Sequence, residues 1–262
     1  MRPVTGGVAV VTGGASGIGL ALARALTAEG MRALLLDLNE QRLSEAVAEL
    51  PGSVAMVVDI GDEQAVAAAA KRCLDEMGPA LVICANAGIG GPTANVAWET
   101  PAADWDRVMR VNFLGAVRTV EAFVPQVLDA GGGHVIITAS MAGVTSAVAM
   151  GPYFAAKHAL VSFAETLRLQ VLRDALPLGV SVLLPSRVAT NLHESHEEGF
   201  DSAAVVPNLP DALDPAVVAA LAIESMADDR FYVFTHPSSR TRVADWYAGI
   251  EAAYDVLEHG SR

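Results

Sequence analysis

Short apolar runs alternate with stretches of helical period along most of the chain. Val8–Val11 predicts a strand, and Gly17–Glu29 predicts the helix that follows it. The alternation continues with a strand at Ala33–Leu36 and a helix at Glu40–Leu50. Strands at Val54–Val58 and Leu81–Cys84 then flank a helix at Glu63–Met77. A long helix is expected from Ala102 to Leu128, a strand at His134–Thr138, a helix at Tyr153–Leu172 and a strand at Val180–Leu184. Unbroken Val, Leu and Ile runs belong to strands covered on both faces, and βα alternation implies a parallel sheet. The expected architecture is therefore α/β: one doubly wound, Rossmann-like parallel sheet of about seven strands with helices on both faces. No linker, repeat or low-complexity segment divides the chain, so residues 1–262 read as a single domain.

Past Pro185 the pattern loosens. Ser186–Pro210 is polar and irregular, and a loop of that length in a compact domain reads as a lid over a substrate, with its surroundings reaching to about residue 227. A helix at Pro215–Ala227, a last strand at Arg230–Thr235 and a helix at Arg242–Leu257 complete the expectation.

Charge narrows the partners. A formal charge of −13 argues against nucleic acid, which is bound through Lys and Arg, and against anionic membrane surfaces. Residues 130–156 hold no charged side chain, but Gly131, Gly132, Gly133, Gly143, Gly151 and Pro152 break that stretch, so it reads as a buried strand feeding an uncharged loop. Cys73 and Cys84 form no CxxC and read as two quiet thiols in a reducing, cytoplasmic setting; no signal-peptide layout opens the chain.

Two local patterns carry chemistry. After the first strand comes Thr12-Gly13-Gly14-Ala15-Ser16-Gly17-Ile18-Gly19, and a helix begins at once. Glycines there let the backbone approach a pyrophosphate while the helix N-terminus offers free N–H groups and a positive dipole end. Asp37 closes the second strand, where an acid accepts ribose hydroxyls of NAD and repels the 2′-phosphate of NADP. No cation stands in the turn or at Leu38 and Asn39 to rescue that phosphate, so the expected cofactor is NAD. Asp59-Ile60 and Asn86-Ala87-Gly88 follow two further strands at the carboxyl edge, where ligands of open α/β sheets bind. The second pattern is Tyr153-Phe-Ala-Ala-Lys157, whose spacing stacks both side chains on one helix face. An adjacent ammonium favours a phenolate over the phenol, and lowering a pKa from about 10 to about 7 takes about 4 kcal/mol.

Together these residues resemble the short-chain dehydrogenases/reductases, in their compact single-domain branch. The resemblance runs from Val8 to about Thr190 through Thr12–Gly19, Asp37, Asp59, Asn86-Ala87-Gly88, Asn112, Ser140, Tyr153, Lys157 and Pro185–Thr190. It implies a catalytic set of Asn112, Ser140, Tyr153 and Lys157. Ser140 would donate to the substrate oxygen, Tyr153 would exchange the hydroxyl proton, Lys157 would tune Tyr153 and hold the nicotinamide ribose, and Asn112 would hold a water for proton relay. The cofactor contacts it implies are Gly13, Ser16, Gly17, Ile18, Gly19, Asp37, Leu38, Asp59, Ile60, Asn86, Ala87, Gly88, Tyr153, Lys157, Pro185, Val188 and Thr190. One departure is Ser186, where the family commonly has glycine after the sixth strand.

The implied reaction interconverts a secondary alcohol and a ketone on a largely apolar small molecule. Val144, Ala147, Val148, Met150, Leu192 and Phe200 are the expected pocket wall. His193 and His196 with Glu194, Glu197 and Glu198 form no defined metal motif, so no metal is expected. The long helices carry apolar residues on more than one face (Val108, Phe113, Val117, Val120; Phe154, Val161, Phe163, Leu167), which predicts a homo-oligomer, a tetramer in first place. The competing functional reading is an NAD-binding sensor or scaffold that kept the fold and lost the chemistry.

Overall fold

A computed structural model describes residues 3, 5–92, 96–190 and 212–259, with side chains through 254. Its centre is one seven-stranded parallel sheet in the order β3-β2-β1-β4-β5-β6-β7. The strands are β1 (Val8–Thr12), β2 (Arg32–Asp37), β3 (Val54–Val57), β4 (Ala80–Ala85), β5 (Gly133–Thr138), β6 (Leu178–Leu184) and β7 (Tyr232–Phe234). Every residue of β1 and β5 is buried, which is why neither alternates polar and apolar positions.

The two sides of each strand feed two separate apolar layers. Val8, Val10, Leu34 and Leu36 pack with Val66 and Cys73 of α3 (Glu63–Met77), Phe123 of α5 (Gly115–Asp129) and Leu160 of α6 (Gly151–Arg173). Ala9, Val11 and Leu35 pack with Leu22 and Leu26 of α1 (Gly17–Ala28), Leu43 of α2 (Glu40–Ala48) and Ala222 of α7 (Pro215–Ala227). α4 (Ala102–Met109) precedes α5, and α8 (Arg240–His259) follows β7. The chain winds outward from β1 to β3 and then crosses to β4, so strand order reverses between β1 and β4, and a crevice opens at their carboxyl ends.

The long helix expected over 102–128 is interrupted. Residues Arg110–Leu114 form a π-helical turn between α4 and α5, with Asn112 inside it. One extra residue in a turn lets a side chain leave the regular helical track, which is how Asn112 reaches a loop beyond its own helix.

The apolar residues of the long helices mostly lie in the chain's own core. Val108 is 0% and Val120 and Val161 are each 5% exposed, while Phe113, Phe163 and Leu167 pack against the same layer. The apolar side chains left outside on these helices are Leu114, Leu169 and Leu172. No helix among the described residues is long and apolar enough to cross a membrane. Cys73 and Cys84 are free and buried, and burial pushes their thiols up to about 11 and about 12, as inert core thiols require.

Candidate active site

The crevice is laced by side chains from the ends of β1 and β4. Thr12 Oγ1 accepts the N–H groups of Asn86 (2.9 Å) and Ala87 (3.1 Å), and Asn86 Nδ2 donates to the Thr12 carbonyl at 3.1 Å. Gly13 has φ +64°, and a Cβ there would lie 2.9 Å from Ala87 Cα. The glycine turn and the Asn86-Ala87 turn are thus in backbone contact, an approach open only to glycine.

Helix α1 starts at this turn. Ser16 caps it in extended backbone geometry without a side-chain bond to the first turn, and no acid stands in that turn. The first-turn N–H groups and the positive dipole end therefore remain available to an anion. Asp37 lies beside them: its carboxylate accepts from Ala15 N at 3.2 Å and from Asn39 N at 3.1 Å. Leu38 is exposed next to it. This donor set fits a dinucleotide: free first-turn N–H groups suit a pyrophosphate, and a carboxylate beside them suits ribose hydroxyls.

Asp59 and Ile60 sit at the end of β3 with different partners. Asp59 accepts from Gly61 N at 2.7 Å and from Arg110 Nη1 at 2.9 Å. Burial works against its charge, but the Arg110 bond, the Gly61 amide and the nearby Arg118 charge together hold the carboxyl below its ordinary value. Ile60 is buried against Gly115, where any Cβ would overlap it.

The four residues expected to carry the chemistry come from β5, α6 and the π turn. Lys157 is buried, donates to the Thr138 carbonyl at 3.0 Å, and lies over the Tyr153 ring with Nζ 5.6 Å from the centroid. Ser140 caps the short turn after β5, accepting from Ala142 N at 3.1 Å and donating to the Pro185 carbonyl at 3.3 Å. Its hydroxyl is also the group that lowers the Tyr153 phenol against the effect of burial. Asn112, fully buried, is clamped to the Ile89 backbone, accepting from Ile89 N at 2.7 Å and donating to Ile89 O at 2.8 Å. Gly88 stands between two of these groups: a Cβ there would lie 3.2 Å from Asn112 Oδ1 and 3.6 Å from Lys157 Nζ.

The titration of this group departs from the simple expectation. Burial raises the Tyr153 phenol above its ordinary value, and the Ser140 hydrogen bond offsets only part of that rise. Burial likewise lowers the Lys157 ammonium, to about 8. Lys157 lies over the ring face, and no hydrogen bond joins its ammonium to the phenol.

On the strap after β6, Pro185 is buried, Val188 bridges to Leu213 and Thr190 lies against Gly17. A cleft of about 480 Å³ opens between α1 and α7, lined by Gly17, Arg24, Thr190 and Pro215 among others; it adjoins the glycine turn and does not cover Tyr153. Of the expected pocket wall, Val144 belongs to the core at 6% exposure, because the turn after Ser140 folds it inward. Ala147 and Val148 face outward, while Met150 is half-buried before Tyr153. Leu192, Phe200, His193, His196, Glu194, Glu197 and Glu198 lie outside the described residues, as does most of the expected lid. Among the described residues no cluster of His, Cys, Asp and Glu could hold a metal ion.

Three site features have little or no sequence signal. The Thr138 partner of Lys157 is a carbonyl, which every residue type possesses. Met150 adopts left-handed backbone (φ 60°, ψ 37°) at the start of α6, a conformation that methionine does not advertise. Ile89 also binds Asn112 through its backbone alone.

Comparison with known proteins fits this arrangement. A family model described as short chain dehydrogenase matches residues 7–200. A 1-deoxy-11-beta-hydroxypentalenate dehydrogenase of Streptomyces avermitilis is 35% identical over 259 residues, covering 97% of this chain and 91% of that protein. A momilactone A synthase of Oryza sativa subsp. japonica is 33% identical over 241 residues, covering 88% of this chain and 87% of that protein. Among solved structures, a short chain dehydrogenase/reductase from Burkholderia phymatum in complex with NAD superposes with a TM-score of 0.88 at 30% identity, covering 97% of both chains.

Proposed function

Because the chain belongs to the short-chain dehydrogenase family, we propose that it interconverts a secondary alcohol and a ketone on a largely apolar small molecule, using NAD(H) and the Tyr153 hydroxyl as general base and acid. The single observation that carries this reading is the convergence of Ser140, Tyr153 and Lys157 at the carboxyl edge of the sheet, beside an anion-ready helix terminus.

In the oxidation direction Ser140 and Tyr153 hold the substrate hydroxyl. The phenolate of Tyr153 takes the hydroxyl proton while the carbinol hydrogen departs with its electron pair. Oxidised nicotinamide, when bound, supplies the hydride acceptor and a positive ring charge. That charge, the Lys157 ammonium and the Ser140 hydrogen bond act against the burial that raises the phenol. Lys157, anchored on Thr138, would hold the nicotinamide ribose, and Asn112 fixes the Gly88–Ile89 turn beside it. In reduction the same groups return the proton.

Asp37 supports the preference for NAD over NADP, since it stands at the glycine turn with a carboxylate where NADP would place a phosphate. The exposed apolar side chain of Val148 and the half-buried Met150 support an uncharged substrate. The relative named for a hydroxypentalenate supports reaction at a hydroxyl-bearing carbon. Asn112, Ser140, Tyr153 and Lys157 are the catalytic set of this reading, in a chain that works in the cytoplasm as a homo-oligomer.

The test is NAD reduction with a panel of secondary alcohols, comparing wild type with Tyr153→Phe. Turnover is expected in wild type and a fall of roughly a thousandfold or more in the variant, with dinucleotide affinity retained. Tight dinucleotide binding with no turnover in either protein would instead establish the sensor or scaffold reading.

A further inference from the structure

We infer that His236 is a positioning residue that sets the Ser140 hydroxyl through the one peptide group joining Pro185 to Ser186. The inference rests on the reading of Ser140, Tyr153 and Lys157 as the reacting centre.

Strand register brings the parts together. β6 and β7 run parallel with Leu184 opposite Phe234, so two residues further along each chain Ser186 meets His236. His236 is 7% exposed. Its Nδ1 lies 2.6 Å from Thr235 Oγ1 and accepts a long hydrogen bond from Ser186 N at 3.4 Å. A backbone amide can only donate, so the inferred role requires the tautomer in which Nδ1 presents its lone pair, with the Thr235 hydroxyl donating to it as well and the ring proton on Nε2. Nε2 is buried with no partner among the described residues, so this tautomer leaves one donor unsatisfied while keeping Nδ1 as an acceptor.

The amide of Ser186 and the carbonyl of Pro185 are two edges of the same planar, trans peptide group. Its carbonyl edge accepts from Ser140 Oγ at 3.3 Å and from Met141 N at 2.9 Å. Holding the amide edge therefore fixes the direction in which Ser140 sends its one proton. Ser140 in turn is the side chain that opposes the effect of burial on the Tyr153 phenol. The peptide unit is gripped from both sides, by the end of β7 on one and by the turn after β5 on the other. Releasing His236 frees the plane to rotate and misaligns the hydroxyl that must turn to the substrate.

Two substitutions separate this role from simple packing. His236→Asn places Oδ1 where Nδ1 stood and keeps an acceptor for Ser186. His236→Phe keeps a ring and removes the acceptor. With NAD and a secondary alcohol that wild type turns over, His236→Phe is expected to lower kcat by about tenfold to a hundredfold at near-constant dinucleotide affinity, and His236→Asn to recover most of it. A second measurement does not depend on turnover: the Tyr153 ring carbon titration, followed by NMR on ¹³C-labelled tyrosine, should move in His236→Phe and return in His236→Asn. Equal losses in both folded variants, or wild-type kcat and an unmoved Tyr153 titration in folded His236→Phe, would overturn the inference. If wild type turns over no alcohol, the dehydrogenase reading fails, and the Tyr153 titration alone decides the role of His236.

Discussion

Lys157 approaches Tyr153 across the face of its ring, with Nζ 5.6 Å from the centroid, and spends a hydrogen bond on the Thr138 carbonyl at 3.0 Å. No hydrogen bond joins the ammonium to the phenol. The arrangement holds a cation in the crevice without neutralising it, and the cation carries a stability cost.

Burial lowers Lys157 from 10.5 to about 8. The unfolded chain therefore binds this proton more tightly than the folded one, and stability rises with pH across that window. Below about 8 the buried charge costs about 3 kcal/mol, against about 1 kcal/mol gained from the Thr138 bond. Lys157→Met is accordingly expected to abolish turnover and to raise stability at pH 7 by about 2 kcal/mol. Urea denaturation of the two proteins at pH 7 and pH 10.5 checks this, with the advantage shrinking at the higher pH. A variant less stable than wild type at pH 7 would contradict it.

Asn112 satisfies both backbone groups of Ile89 from inside a π turn. Asn112→Ala leaves that amide and carbonyl unpaired in a partly buried place, a loss of about 1–2 kcal/mol. The freed Gly88–Ile89 turn borders Lys157, so kcat should fall along with the unfolding free energy. Asn112→Asp at this fully buried position favours the protonated carboxyl, which can still accept from Ile89 N and donate to Ile89 O, and should fall between Asn112→Ala and wild type, nearer wild type as pH falls. Denaturation midpoints and kcat measured together give the order.

The residues that were legible in the sequence are those whose surroundings depend on local pattern. Val8–Thr12 and Gly133–Thr138 are apolar throughout because helices cover both sheet faces, and a run of that kind declares itself. Tyr153 and Lys157 share a face through spacing alone. The break at Arg110–Leu114 was not legible as a π turn: Asn112 marked a poor helix former, but its partner is a backbone 23 residues away, and backbones carry no residue signature. The direction of the Tyr153 shift was missed for a related reason. Sequence shows which charge is adjacent but not how much water the fold removes, and burial outweighs the offsetting Ser140 bond. Val144 followed the same logic, since only the turn after Ser140 decides that it points into the core.

His134 gives the fold an acid limit far from the crevice. It is fully buried in β5, with Nε2 bonded to Ser181 Oγ at 2.9 Å and Nδ1 packed against Gly179 with no partner among the described residues. Burial lowers it from 6.5 to about 4; Asp229 opposes and Arg168 pushes the same way as burial. A depressed histidine contributes stability that is present above about 6.5 and is lost as pH falls toward 4, a swing of about 3 kcal/mol. His134→Gln, whose side-chain amide can still donate to Ser181, should flatten the stability profile between pH 7 and pH 4.5. Equal pH dependence in the two proteins would rule out His134 as the source.

Arg242 ties the C-terminal helix to the loop between Ser140 and Tyr153, donating from Nη2 to the Ser146 carbonyl at 3.1 Å. Among the described residues this is the one hydrogen bond made by residues 146–149, and Val148 beside it is 92% exposed. A loop held at one point closes on a large substrate less well when that point is removed, while a small substrate that never touches the loop is indifferent. An exposed hydrogen bond is worth about 1 kcal/mol, so Arg242→Ala should raise KM for a bulky apolar alcohol about fivefold with kcat unchanged. For a small secondary alcohol both constants should match wild type. The contrast between the two substrates is the informative quantity, because a general loss of folding would lower activity on both alike.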